Sequence, residues 1–315
     1  MIKSICAACA LLIATSAKPI FAGAQVLHEK RTVNEMGEVL AMAQAQADMG
    51  KEVLIAFDTD NTLLTADQDL GSEPWSDDVL DSTKGFFKDI SRPETKQIYE
   101  QRYSQALNFW FSVAKAMAGQ NKMRLVEESD AQGIDRLQKN RIKTMALTSR
   151  AAVLLEATIR QFVDLEIDFS RSAFGSDWIE FSVPGLPWPV SYKKGVCAGG
   201  TDKGKALVYL MDRMNYHPDV VIYVDNKQKE TDSVYDALAG TATSVIAYRY
   251  GKMDGALDAY TRGDRSLARM ETKVFKESGR IISNDEASRM IFQDGPVTLE
   301  ETNELIFGTS DPSAP

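Results

Sequence analysis

Five consecutive apolar residues, Val53-Leu54-Ile55-Ala56-Phe57, run directly into Asp58-Thr59-Asp60-Asn61-Thr62-Leu63-Leu64. A run this short, without polar alternation, reads as a strand buried on both faces of a sheet. Two carboxylates stand two residues apart where that strand ends, and apolar residues resume at once. An ionised carboxylate beside a core costs on the order of several kcal/mol unless something compensates it, so two together call for a cation. A hard divalent ion such as Mg²⁺, which prefers oxygen ligands, suits them. One carboxylate could then attack phosphorus while its neighbour moves a proton. The competing reading is a solvated acidic turn, in a chain with 45 acidic and 36 basic residues.

That imbalance, a formal net charge of −9, argues against nucleic acid or an anionic membrane as the main partner. The 315 residues can bury one large core, or a core with an accessory domain. The first 24 residues read as an export signal: Lys3, an apolar stretch over 5–15, and Ala22-Gly23-Ala24 as the cleavage site, with cleavage after Ala17 as the alternative because Lys18 interrupts the segment. The expectation is therefore a periplasmic or secreted mature chain with no membrane span. Losing the signal removes Cys6 and Cys9 and leaves Cys197, expected to be half-buried. With only His28 and His217 present, the chain is short of partners for a catalytic thiol or a histidine-based zinc site.

Along the chain, Thr32 and Glu35 form a capping-box pattern ahead of a helix that stops at Gly50. Residues 65–128 change character. Helices are expected over 77–90 and 94–118, the second with Tyr99, Tyr103, Leu107, Trp110, Ala114 and Met117 on one face, read as core. Trp75 has the better prospect of reaching a ligand. A helix follows over 131–140, then a buried strand at 144–147 ending in Thr148-Ser149-Arg150, a helix over 152–163 and a weaker strand at 165–169. Residues 179–183 and 190–192 flank a hairpin turn, a possible second wall of the site. Lys203 opens a helix, the strand 220–224 ends on Asp225-Asn226, and a further strand lies at 244–248. Residues 253–292 are helical and expected to cover a sheet edge; 295–315 form a tail, disordered from Thr309.

Alternating apolar strands and amphipathic helices give an α/β class: a Rossmann-like parallel sheet with helices on both faces and a helical cap inserted after the first core strand. The expected division is a core of residues 25–64 and 129–294 with a cap at 65–128. In such a sheet the strand ends Asp58/Asp60, Thr148/Ser149 and Asp225/Asn226 fall on one edge. Lys203 joins them from the first turn of a helix, where it opposes the helix dipole at a cost of about 0.3–1 kcal/mol; rules broken locally are often broken for function.

Four ordered motifs between residues 53 and 248 resemble those of the haloacid dehalogenase-like superfamily of phosphotransferases. Asp58, Asp60 and Thr62 match its first motif, Thr148 the second and Lys203 the third, with Lys205 as a competing choice. Asp225 matches the fourth only in part, since Asn226 follows it and the next acids are Glu230 and Asp232. The resemblance extends to exported bacterial phosphatases and to an exported subgroup without assigned function. It implies a phosphorylated substrate, Asp58 as nucleophile and Asp60 as acid and base. It further implies phosphate held by Thr148, Ser149 and Lys203, and Mg²⁺ held by Asp58, Asp60, Asp225 and Asn226. Binding without turnover, and transfer to an acceptor other than water, are the alternatives.

Overall fold

The computed structural model describes residues 26–85, 93–120, 123–175 and 177–308. The expected export signal, the end of the helix expected over 77–90 and the tail from Thr309 lie outside them. In chain order the elements are β1 (His28–Val33), α1 (Met36–Asp48), β2 (Val53–Phe57), β3 (Leu64–Ala66), α2 (Glu73–Gly85), α3 (Pro93–Gln120), β4 (Met123–Leu125), α4 (Asp130–Lys139), β5 (Lys143–Thr148) and α5 (Leu155–Asp164). There follow β6 (Ile179–Phe181), β7 (Val190–Lys193), β8 (Val196–Ala198), α6 (Lys203–Arg213), β9 (Val220–Asp225), α7 (Gln228–Leu238), β10 (Ser244–Tyr250), α8 (Asp254–Arg262), α9 (Ser266–Ser278), α10 (Asn284–Asp294) and α11 (Leu299–Phe307).

One sheet dominates, in the order β1-β10-β9-β2-β5-β8-β7-β6. Its strands run parallel from β1 to β8, and β7 and β6 add an antiparallel edge. The side-chain alternation of a strand divides β2 between two cores: Val53, Ile55 and Phe57 pack on one face, Leu54 and Ala56 on the other. The first face is covered by residues of α1, α4 and α5, the second by residues of α6 and α7. Burial on both sides is why β2 has no polar alternation, and the α/β class expected from the sequence is the class found.

Several local expectations yield to tertiary pairing. Thr32 lies within β1 opposite Arg249, so it caps no helix; α1 starts at Met36, whose N–H donates to the Glu127 carboxylate at 2.7 Å. Six residues paired with β10 outweigh one local cap. Residues 165–169 form no strand: Glu166 takes a left-handed φ of 65° and a short 3₁₀ turn follows at Phe169–Ser172. The place beside β5 goes to β8, reached through a two-residue turn in which Lys194 and Gly195 both have positive φ. Gly195 is required there, because a Cβ would lie 2.5 Å from the Phe169 carbonyl oxygen. Cys197, on β8, is wholly buried rather than half-buried, and burial pushes its thiol up to about 12, so it is no nucleophile at neutral pH.

After β2 the chain turns tightly. Asn61 adopts φ 57°, its N–H bonds the Leu64 carbonyl at 2.7 Å, and β3 leaves towards α2 and α3. β4 returns antiparallel to β3, so a two-stranded ribbon carries the chain into and out of the helical pair. The helices after β10 pack on this pair rather than on a sheet edge. Ala268 and Ile281 join Leu70, Trp75, Phe109 and Val113 in one buried cluster. The stretch expected as a tail contains α11, opened by a capping box of Thr298 and Glu301 and packed on α3 and α9.

Glu271 on α9 fixes the start of this unit: fully buried, it accepts the Leu70 N–H at 2.7 Å through one oxygen, and the other has no partner. Burial pushes its carboxyl up to about 8, above the unfolded value, so its contribution is complete below about pH 4.5 and is lost as pH rises through 8. Glu271→Gln keeps the acceptor without the charge. Urea titration should give wild type and variant similar stability at pH 5, and the variant roughly 3–5 kcal/mol more at pH 9. Parallel pH profiles would refute this.

Candidate functional site

β2, β5 and β9 end side by side, and a cavity of about 250 Å³ lies over their ends, roofed by α2 and α3. Every residue expected at the site lines it: Asp58 and Asp60 after β2, Thr148 and Ser149 at β5, Lys203 at the start of α6, and Asp225 and Asn226 at β9. Lys205 does not. It is exposed and pairs with Asp202 at 3.0 Å.

Lys203 Nζ lies 2.5 Å from Asp58 Oδ1 and 2.6 Å from Asp225 Oδ2, all three buried. The Asp202 carboxylate accepts the Lys205 N–H at the start of α6, which sets the helix so that its first residue projects onto the strand ends. Further donors fix the acids: Thr62 donates to Asp58 at 3.2 Å, the Lys227 N–H to Asp225 at 2.7 Å, and the Tyr223 hydroxyl to Asp225. The Asn226 N–H closes the ring on Thr62 Oγ1 at 3.0 Å. Burial first, then the charge of Asp225, pushes the Asp58 carboxyl up to about 7 despite Lys203. Burial alone would lower Lys203, but the two carboxylates outweigh it and raise the ammonium above its ordinary value.

Asp60 lies in a different field. Arg150 grips it with two hydrogen bonds of 2.8 and 2.7 Å, while its remaining nitrogen donates to Thr158 and Gln161. Burial would raise Asp60, but the guanidinium prevails and holds it below the usual carboxylate range. Ser149 is exposed at the rim.

Asn226 has its side-chain amide turned to Glu73, at 3.2 Å. Glu73 also accepts from Asn61 at 3.1 Å and pairs with Lys227. Glu230, in the first turn of α7, is buried and lines the cavity with one carboxylate oxygen unpartnered, whereas Asp232 pairs with Lys30 at the surface.

Six acids and three cations line the cavity: Asp58, Asp60, Glu73, Asp77, Asp225 and Glu230 against Arg150, Lys203 and Lys227. That excess, together with an all-oxygen donor set and the unpartnered Glu230 oxygen, fits a hard divalent cation. No group of three or more His, Cys, Asp or Glu among the described residues forms a metal site by itself. An ion here would therefore need a backbone carbonyl and water beside the carboxylates.

Arg150, Glu73, Tyr223 and Glu230 were not among the expected site residues. Arg150 had a visible signal, two positions beyond the hydroxyl of a strand end. Glu73 and Tyr223 had none, being placed by a helix start and by a strand's inward face. The stripe read as core on α3 is displaced by part of a turn: Ala106, Phe109, Val113 and Met117 are its buried face, while Trp110 and Ala114 look onto the cavity. Trp75 does reach the cavity, but as a buried residue set edge-on against Phe109 at 5.8 Å. The β6–β7 hairpin extends the sheet and lines none of the cavity.

No curated protein matches the chain. Among solved structures, a haloacid dehalogenase-like family hydrolase from Streptococcus pneumoniae superposes with a TM-score of 0.35 at 12% identity, over 64% of this chain and 96% of that one. No helix among the described residues is long and apolar enough to cross a membrane. A family described as "Protein of unknown function (DUF2608)" matches residues 31–288, and the chain belongs to that family.

Proposed function

We propose that this protein hydrolyses phosphomonoesters with Mg²⁺ through an aspartyl-phosphate on Asp58, in an exported location. One observation carries the reading: Lys203 bridges Asp58 and Asp225 from adjacent strand ends, in a cavity that also gathers Asp60, Arg150 and Thr148.

Asp58 attacks phosphorus in line. Lys203 and the Thr148 hydroxyl hold the phosphoryl oxygens and stabilise the charge that spreads over them in the transition state. Asp58 and Asp225, with the carbonyl of Asp60, the Asn226 side chain and water, would hold Mg²⁺, which would offset the repulsion between Asp58 and the dianion. Glu230, which lines the same cavity, would add the negative charge that Asn226 does not carry.

The grip of Arg150 leaves Asp60 a carboxylate, the wrong state to protonate a leaving oxygen. A phosphate entering the cavity competes for that guanidinium, which suits bidentate binding of phosphate as well as carboxylate. Once the guanidinium is drawn away, burial raises Asp60 above its ordinary range; it takes up a proton from solvent, donates it to the departing alkoxide and later takes one from the attacking water. Substrate binding thereby arms the acid.

A panel of phosphomonoesters assayed with Mg²⁺ and with chelator tests the reading. Phosphate release with Mg²⁺, abolished by chelator and restored by added Mg²⁺, is the expected outcome. Absence of turnover on every ester, with no Mg²⁺ bound by calorimetry, would leave a binding protein. A phosphorylated acceptor in place of free phosphate would mean transfer.

A further inference from the structure

Opposite the charged floor, the cavity is lined by Trp75 from α2, by Trp110, Ala114 and Met117 from α3, by Leu154 just before α5 and by Ala157 within it. This wall is built rather than incidental. Trp75 is buried and braced edge-on by Phe109. Met117 sits against Gly71, where a Cβ would come within 2.0 Å of its sulfur, and the Gln68 amide lies 3.7 Å from the same sulfur. Gly71 has φ +79°, so both its backbone and its bareness hold Met117 in place.

Polar groups at the cavity's side are largely engaged with one another. Glu73 is taken by Lys227, Asn61 and Asn226; Gln161 and Thr158 by Arg150; Thr65 by Asn61 at 3.4 Å; and the Ser76 hydroxyl by the Ser72 carbonyl at 2.8 Å. Recruiting them for the hydroxyls of a sugar or polyol would break existing bonds. A site that rejects polar groups does so because they would be left unpaired. At about 250 Å³ the space is also below the usual span of roughly 300–1,000 Å³ for ligand pockets.

Resting on the phosphatase reading, we infer that the substrate is a small phosphomonoester with a compact apolar or aromatic leaving group, seated between Trp110 and Leu154, and not a sugar phosphate, nucleotide or phosphoprotein. The phosphoryl end meets Lys203 and Asp58, and the alcohol end rests on the indole and thioether surfaces, which supply apolar and ring-stacking contact.

Benzyl phosphate and glycerol 1-phosphate, both esters of primary alcohols, test this with little contribution from leaving-group reactivity. Wild type should favour benzyl phosphate in kcat/KM by about 10- to 100-fold. Trp110→Ala should lower that ratio about tenfold, mostly through KM, while Trp110→Phe keeps most of it. Calorimetry with benzylphosphonate, which cannot be hydrolysed, should show the same order of affinities: wild type, Trp110→Phe, then Trp110→Ala. Hydrolysis of both esters with a ratio near one, or a ratio indifferent to Trp110→Ala, overturns the substrate class and leaves the phosphatase reading standing. Phosphate release from neither ester, nor from any other, overturns that reading and this inference with it.

Discussion

Asp58→Asn is expected to lower phosphate release by about 10⁴-fold or more, and to leave the protein at least as stable as wild type at pH 7.5. The first effect follows from the chemistry, since an amide cannot form the acyl-phosphate. The second follows from the electrostatics. Asp58 is buried beside Asp225, and the single Lys203 between them does not prevent its carboxyl from rising to about 7. A folded value above the unfolded one means that the native state binds the proton more tightly. Stability from this group is complete below about pH 4 and lost as pH rises through 7. Asparagine keeps an oxygen to accept from Thr62, frees Lys203 to pair with Asp225 alone and removes that loss. Melting curves at pH 5 and pH 8 should therefore converge for the variant relative to wild type. Activity lost together with stability would show that Asp58 is a structural acid. Full activity in a stable variant would remove the nucleophile from the proposal.

The same competition explains why the site was legible in the sequence. Asp58, Lys203 and Asp225 break local rules: acids abut a core strand, and a lysine opens a helix against its dipole. Parallel strand order then carries residues 145 and 22 positions apart to one edge, so apolar runs and their polar ends sufficed to place them. The strand ends carrying Asp58, Thr148 and Asp225 were read within one or two residues.

What local pattern could not supply was pairing between distant segments. β1 is recognisable only through its partner β10, and the sequence signal at Thr32 favoured a helix cap instead. β8 is three residues long and owes its place to the turn at Gly195 packed against Phe169. The helices after β10 carry ordinary amphipathic patterns, which say that a face is buried but not against what; Ala268 and Ile281 meet α2 and α3 rather than the sheet. The stripe on α3 failed for a related reason. A helix lying between a core and a cavity has two apolar faces, and Trp110 belongs to the second. Cavity walls and cores have the same composition, so periodicity alone cannot tell them apart.

Lys203→Met should be the most destabilising single change at the site, by about 3–5 kcal/mol at pH 8, because it leaves Asp58 and Asp225 buried with no cation between them. Methionine fills much the same volume, so packing contributes little to the loss. The pH dependence identifies the cause. Without the ammonium, burial and the charge of Asp225 act on Asp58 unopposed and hold its carboxyl further above the unfolded value, so stability is retained near pH 4 and falls as pH rises through 7 and beyond. Wild type and variant should therefore differ least in acid and most in base, the reverse of what a cavity defect, indifferent to pH, would give. Turnover should be lost in the same variant, since the other lysines described near the strand ends are engaged: Lys205 with Asp202 and Lys227 with Glu73. Millimolar Mg²⁺ adds a second discriminator. A cation seated between the two acids should raise the melting temperature of Lys203→Met more than that of wild type, where the ammonium already offsets part of the charge. Loss of stability that is equal at pH 5 and pH 8, and blind to Mg²⁺, would show that the three groups are not held together as a buried cluster, and the reading of the cavity as a phosphate site would lose its central contact.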